Sequence, residues 1–179
     1  MKTETSTHAP EMIANASMLE IAREIGPGLS KYTDEEERNR RPSQQTLNAL
    51  KEAGLLTLYL PQSLGGIEAD PLTTAQVVEE IAIHNTAAGW SMMVANTSAW
   101  WSSRLSDKGI DELYSYGPNT IIAGAFHPPM KATPVDHAYR ITGRSPLVSN
   151  IHEAQWIFVT AFVMYDGQVK MNHGIPEIV

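Results

Sequence analysis

Ser149 and Asn150 set a hydroxyl beside an amide, directly after the run Gly143–Val148 and just ahead of an apolar stretch around Trp156. A serine hydroxyl donates and accepts hydrogen bonds, so it can follow a partner whose protonation changes, and the carboxamide next to it does both as well. The same pair also suits a plain turn, in which each side chain bonds to nearby backbone. On the residues alone both readings stand. The other reactive side chains exclude more than they offer. Six histidines occur, but no pair has His-x-x-x-His or His-x-His spacing, so no metal site is expected. His127 and His152 lie next to informative segments and read as solvated loop residues. There is no Gly-x-Ser-x-Gly elbow, no phosphate-cradling Gly-rich loop of either common kind, and no carboxylate that stands out as a base. No catalytic residue is assigned. The dense apolar group Trp90, Met92, Met93, Trp100 and Trp101 reads as helix core rather than as a binding wall.

Composition narrows the partners. The chain has 179 residues, 42% hydrophobic and 18% charged, enough to bury a sizeable core. A net charge of -7 argues against nucleic acid, whose affinity rests on clustered cations. Zero cysteines exclude disulfides and thiolate chemistry and suit a reducing cytoplasm, the expected location. No apolar run approaches the roughly 20 residues needed to span a bilayer. The opening residues also lack the apolar core of a signal peptide, so no membrane association is expected.

The elements that must position these residues fall into two blocks. Residues 1–9 read as a disordered tail and 10–117 as all-helical. A first amphipathic helix starts at Pro10 and is expected to break at Gly26-Pro27-Gly28. A charged surface helix follows through "DEEERNRR", then a helix capped by Ser43 and closed by Gly54. Next come a connector ending at Gly65-Gly66, two buried helices near 73–84 and 87–105, and a short helix capped by Ser106 or Asp107. At Pro118 β-branched and alternating residues take over, in "TIIAGAF", "AYRITG", "AQWIFVTAFVMYDG" and "QVKM". Asp166-Gly167 marks a hairpin. The fold class is therefore α+β: a helical N-terminal domain, then an incomplete antiparallel β-barrel domain over 118–179. "GRSPLVSN" is read as a further short strand.

Three segments in order, "LNALKEAGLLTLYLPQSLGG", "AAGWSMMVANTSAWW" and "TIIAGAFHPP…YRITGRSPLVSNIHEAQW", resemble the N-terminal and middle regions of the acyl-CoA dehydrogenase-like flavoproteins. The Ala-Gly-Trp and Ala-Gln-Trp segments are closer to that superfamily's flavin-dependent monooxygenase branch. The resemblance implies FAD or FMN as cofactor. Leu147, Val148 and Ser149 would lie where the family flanks the isoalloxazine and offers a hydroxyl to flavin N5. Ala123, Gly124, Ala125 and Phe126 would lie where its backbone meets the pyrimidine edge. Ser91, Met92, Ala95 and Ala99 match positions that face the acyl or aromatic substrate. Implied partners are a small-molecule substrate, a flavin reductase and, with the family's C-terminal helical bundle, further copies of the chain. Leu147 replaces the family's flavin-flanking aromatic, and the Gly-Ser-Asp phosphate turn is absent, which counts against CoA. The family continues through the rest of its β domain into that bundle whereas this chain stops at Val179, so a fragment or truncated relative is expected. Two alternatives accompany the monooxygenase reading: an acyl-CoA dehydrogenase, and a flavin-free interaction module.

Overall fold

A computed structural model of the chain describes residues 8–179, with side chains from residue 17 onward except that of Pro128. The expected tail lies outside the described residues apart from His8 and Ala9, which open the first helix. The fold is α+β. One compact unit ends at Ile121, and a second runs Ile122–Val179.

In the helical unit, α1 (His8–Leu29) passes straight through Gly26-Pro27-Gly28, where a break was expected. Pro27 deletes one backbone donor, which ordinarily weakens a helix interior. Packing against α4 (Pro71–His84) offsets that loss. Gly26 permits this packing, because a Cβ there would press on the His84 ring. Ser30 then donates through Oγ to the His84 carbonyl at 3.1 Å. After a 3-10 turn come α2 (Thr33–Asn39) and α3 (Gln44–Glu52). Ser43 caps α3 by accepting from the Thr46 amide, and Gly54 closes it at φ 73°.

One residue of α2 departs from the surface reading. Glu36 is 2% exposed. Its Oε1 accepts from the Ser43 amide at 2.8 Å and the Thr46 hydroxyl at 2.5 Å, while Oε2 accepts from Asn85 Nδ2 at 2.7 Å. Asn85 in turn caps α5 (Thr86–Ser102) by accepting from the Ala88 amide at 2.9 Å. Burial raises the Glu36 pKa, but the hydrogen bonds from Thr46, Asn85 and Ser43 together outweigh it and hold the carboxyl below its ordinary 4.5. A depressed native pKa contributes stability that is present above the unfolded value and lost as pH falls through the native one. The unfolding midpoint should therefore drop on acidification below about pH 4.5, and Glu36→Gln should flatten that part of the profile. Parallel acid profiles for the two proteins would count against Glu36 as a source of the effect.

The connector from α3 to α4 buries Leu55, Leu56, Leu58 and Leu60. Asn96 of α5 ties it down, donating through Nδ2 to the Leu55 carbonyl at 2.8 Å and accepting from the Tyr59 amide at 3.2 Å. Asp70 caps α4, with Pro71 in the first turn, and Ser106 caps α6 (Asp107–Leu113).

The second unit holds β1 (Ile122–Val135), β2 (Ala138–Thr142), β3 (Trp156–Tyr165) and β4 (Gln168–Val169), in the order β2-β1-β3-β4. A small hairpin, β5 (Met171–Asn172) with β6 (Ile175–Pro176), follows. The sheet is mixed rather than purely antiparallel, because β1 and β3 pair in parallel. The cause is the path of the chain. β2 returns along one edge of β1 only as far as Lys131, and residues 143–155 then cross to the other side and bring Trp156 beside Ile122. Asp166 (φ 48°) and Gly167 (φ 78°) form the expected tight turn between β3 and β4. Pairing of β1 with β3 is interrupted between Ala125 and Met130, where Pro128 and Pro129 bring no backbone donor.

Candidate functional site

The first candidate segment is the start of β1. Ala123 and Ala125 are buried on one face, and Gly124 and Phe126 turn to the other. A Cβ at Gly124 would overlap the Phe158 ring, so only glycine lets that ring come this close to the strand. Phe158 meets Phe126 edge-on, with centroids 4.8 Å apart at 69°. The Phe126 carbonyl accepts from Thr160 Oγ1 at 2.5 Å, which pins the backbone where the ladder lapses. Phe126 is left about half exposed and His127 exposed.

The second segment, residues 143–155, is a loop and not the short strand expected of "GRSPLVSN". Pro146 can donate no ladder bond, and Ser145 Oγ bonds locally to the Leu147 carbonyl at 3.1 Å. Leu147 is 74% exposed, whereas Val148, Ser149 and Asn150 are half-buried. Asn150 adopts a left-handed φ of 63°, a conformation that asparagine tolerates better than most residues, and its carbonyl accepts from the Glu153 amide at 3.1 Å. The loop delivers the chain to Trp156, whose register partner is Ile122. Both segments thus converge at one end of the β1–β3 pair. The Trp156 indole N–H there is buried without a partner.

On α5 the expected substrate positions and the exposed face fall on different stripes. Ser91, Met92, Ala95 and Ala99 are all buried within the helical unit. The outward stripe is instead Trp90, Met93, Thr97 and Trp101, with Trp100 beside it, at helical spacing. The three tryptophans expected in the core are 53%, 41% and 47% exposed for Trp90, Trp100 and Trp101. Trp100 and Trp101 meet edge-on at 5.1 Å, and the Arg104 guanidinium lies 4.3 Å from the Trp100 ring centroid. The signal was present as the i, i+3, i+7, i+11 spacing of residues 90, 93, 97 and 101. Small and apolar residues on the remaining faces of α5 hid it.

Among the described residues no cluster of histidine and acidic side chains is placed to hold a metal, and no helix is long and apolar enough to cross a membrane. His127 and His152 are both exposed.

Comparison with known proteins agrees with this architecture. Residues 8–112 match the family described as acyl-CoA dehydrogenase, N-terminal domain. The oxygenase subunit HsaA of a flavin-dependent monooxygenase from Mycobacterium tuberculosis is 27% identical over 129 residues, 72% of this chain and 33% of that protein. Indole-3-acetate monooxygenase from Pseudomonas putida is 29% identical over 108 residues, 60% of this chain and 28% of that protein. XiaF from Streptomyces sp., solved with FADH2 and glycerol, superposes with a TM-score of 0.86 at 24% identity, over 97% of this chain and 42% of XiaF. The chain thus spans well under half the length of the proteins it resembles. With more than half of its residues matched, it belongs to the acyl-CoA dehydrogenase N-terminal domain family.

Proposed function

We propose that this chain is the N-terminal and partial middle portion of the oxygenase component of a flavin-dependent monooxygenase. That enzyme would act on a small aromatic substrate in the cytoplasm, and a separate reductase would supply it with reduced flavin. The observation that carries the reading is the convergence of Ala123–Phe126 with the Ser149 loop, through the Ile122–Trp156 pairing. It occurs in a chain whose relatives include flavin-dependent monooxygenases.

The residues present fit a flavin. Leu147 and Phe126 offer exposed apolar surface for a planar ring, Ser149 offers a hydroxyl, and the unmet Trp156 N–H lies at the start of β3, where the loop ends. A bound reduced flavin supplies the electrons with which oxygen hydroxylates the substrate. Within this chain, Ser149 would hold a hydrogen bond at flavin N5, with Leu147 and Val148 shielding the ring from water. The β1 backbone at Ala123, Gly124, Ala125 and Phe126 would meet the ring's pyrimidine edge. FAD and FMN are both compatible with these residues. Substrate would lie against the outward stripe of α5, Trp90, Met93, Thr97 and Trp101, since the inward stripe is occupied by packing. Assembly into a homo-oligomer is part of the same proposal.

The test uses a protein that carries this chain together with the further length its relatives have. Ser149→Ala should weaken reduced-flavin binding by about two- to ten-fold, the effect of one hydrogen bond, with the fold unchanged by circular dichroism. Unchanged flavin affinity together with unchanged oxygen-dependent turnover would return Ser149 to the role of a turn residue.

A further inference from the structure

α5 ends in an aromatic pair, and the chain leaves it through a cation. Arg104 lies two residues past the helix, and its guanidinium is stacked on Trp100. Stacking holds the planar fork in place while its N–H edges stay able to donate, the geometry in which arginine takes a carboxylate through two parallel bonds. Among the described residues no carboxylate comes within ion-pair distance of Arg104. Trp101, one turn back, presents a half-exposed indole. The chain as a whole carries a net charge of -7 and so repels anions in general. An acidic ligand would therefore settle here only through a local cation.

We propose that Arg104 selects for aromatic ligands that bear a carboxylate, with the ring against Trp101 and Thr97 and the acid group on the guanidinium. The inference rests on the outward stripe of α5 as the substrate wall and adds the charge of the substrate to it. Arg104 acts here as a specificity residue, and no bond is made or broken at it.

The test is calorimetric titration, in a protein that carries this chain together with the further length its relatives have, with indole-3-acetate and with its uncharged analogue indole-3-acetamide, which share a ring and differ in charge. The wild type should bind the acid about two- to five-fold more tightly than the amide, as a solvent-accessible charge pair allows, and the preference should shrink in high salt. Arg104→Gln should abolish the preference and leave amide affinity unchanged, whereas Trp101→Ala should weaken both ligands. A preference that survives Arg104→Gln, or a wild type that binds both equally, overturns the role of Arg104 and leaves the aromatic wall standing. A wild type that binds neither overturns both readings.

Discussion

Glu36→Ala should lower the stability of the helical unit by about 3–5 kcal/mol, a large part of what a domain of this size possesses. The carboxylate accepts from α3's cap at Ser43 and Thr46 and from Asn85 at the α4–α5 junction, so its removal strands three donors in a buried site. Each unmet buried donor costs about 1–3 kcal/mol, and among the described residues no cation pairs with Glu36. Urea unfolding followed by circular dichroism measures it: the midpoint should fall with the slope unchanged. Glu36→Gln should land between wild type and alanine, because one amide cannot accept at both former oxygen positions. A loss below about 1 kcal/mol for the alanine variant would mean that water replaces the carboxylate at little cost.

Gly66→Ala is the other large effect expected. A Cβ at this position would overlap the Leu60 carbonyl, which is backbone and cannot rotate away. The turn is held on both sides, with the Gly66 amide donating to the Pro61 carbonyl at 3.0 Å and the Glu68 amide to the Leu60 carbonyl at 3.0 Å. Relief would require opening these bonds and moving the buried Leu60, at about 3 kcal/mol or more. Gly65→Ala is the informative control. Gly65 needs its left-handed φ of 84°, but a Cβ there meets only the Pro118 ring at 3.4 Å, so about 1–2 kcal/mol is expected. Equal losses in the two variants would show that backbone conformation, and not the overlap at Leu60, governs this turn.

Much of the fold was legible where its signals are local. Ser43, Gly54, Asp166 and Gly167 act through their own backbone or that of residues a few positions away, so a sequence window contains both partners. What escaped depends on distant partners. Glu36 looks like its solvated neighbours until Asn85, far along the chain, is known to face it. Gly26-Pro27-Gly28 looks like a break until α4 supplies the packing that keeps α1 intact. The candidate site follows the same rule. Resemblance singled out two segments far apart in the chain, and the pairing of Ile122 with Trp156 brings them to one end of the sheet. On α5, telling the outward stripe from the inward one required knowing which face the rest of the unit covers, and a helix without a single charged residue does not say.

The lapse in β1 has a consequence for how such a framework can change. From Ala125 to Met130 the strand spends five residues while β3 spends two, yet Ala123 and Ala125 before it and Ala132 after it are all buried, opposite Ile157, Val159 and Val163. Pairing resumes in frame. Phe126–Pro129 therefore behaves as a cassette spliced into a strand that reads continuously on either side of it. Its length and side chains can be rewritten without resetting the ladder, and removing three of its residues would leave Met130 opposite Ala161, as now. Chemistry carried on that excursion can drift or be engineered while the sheet beneath it stays the same.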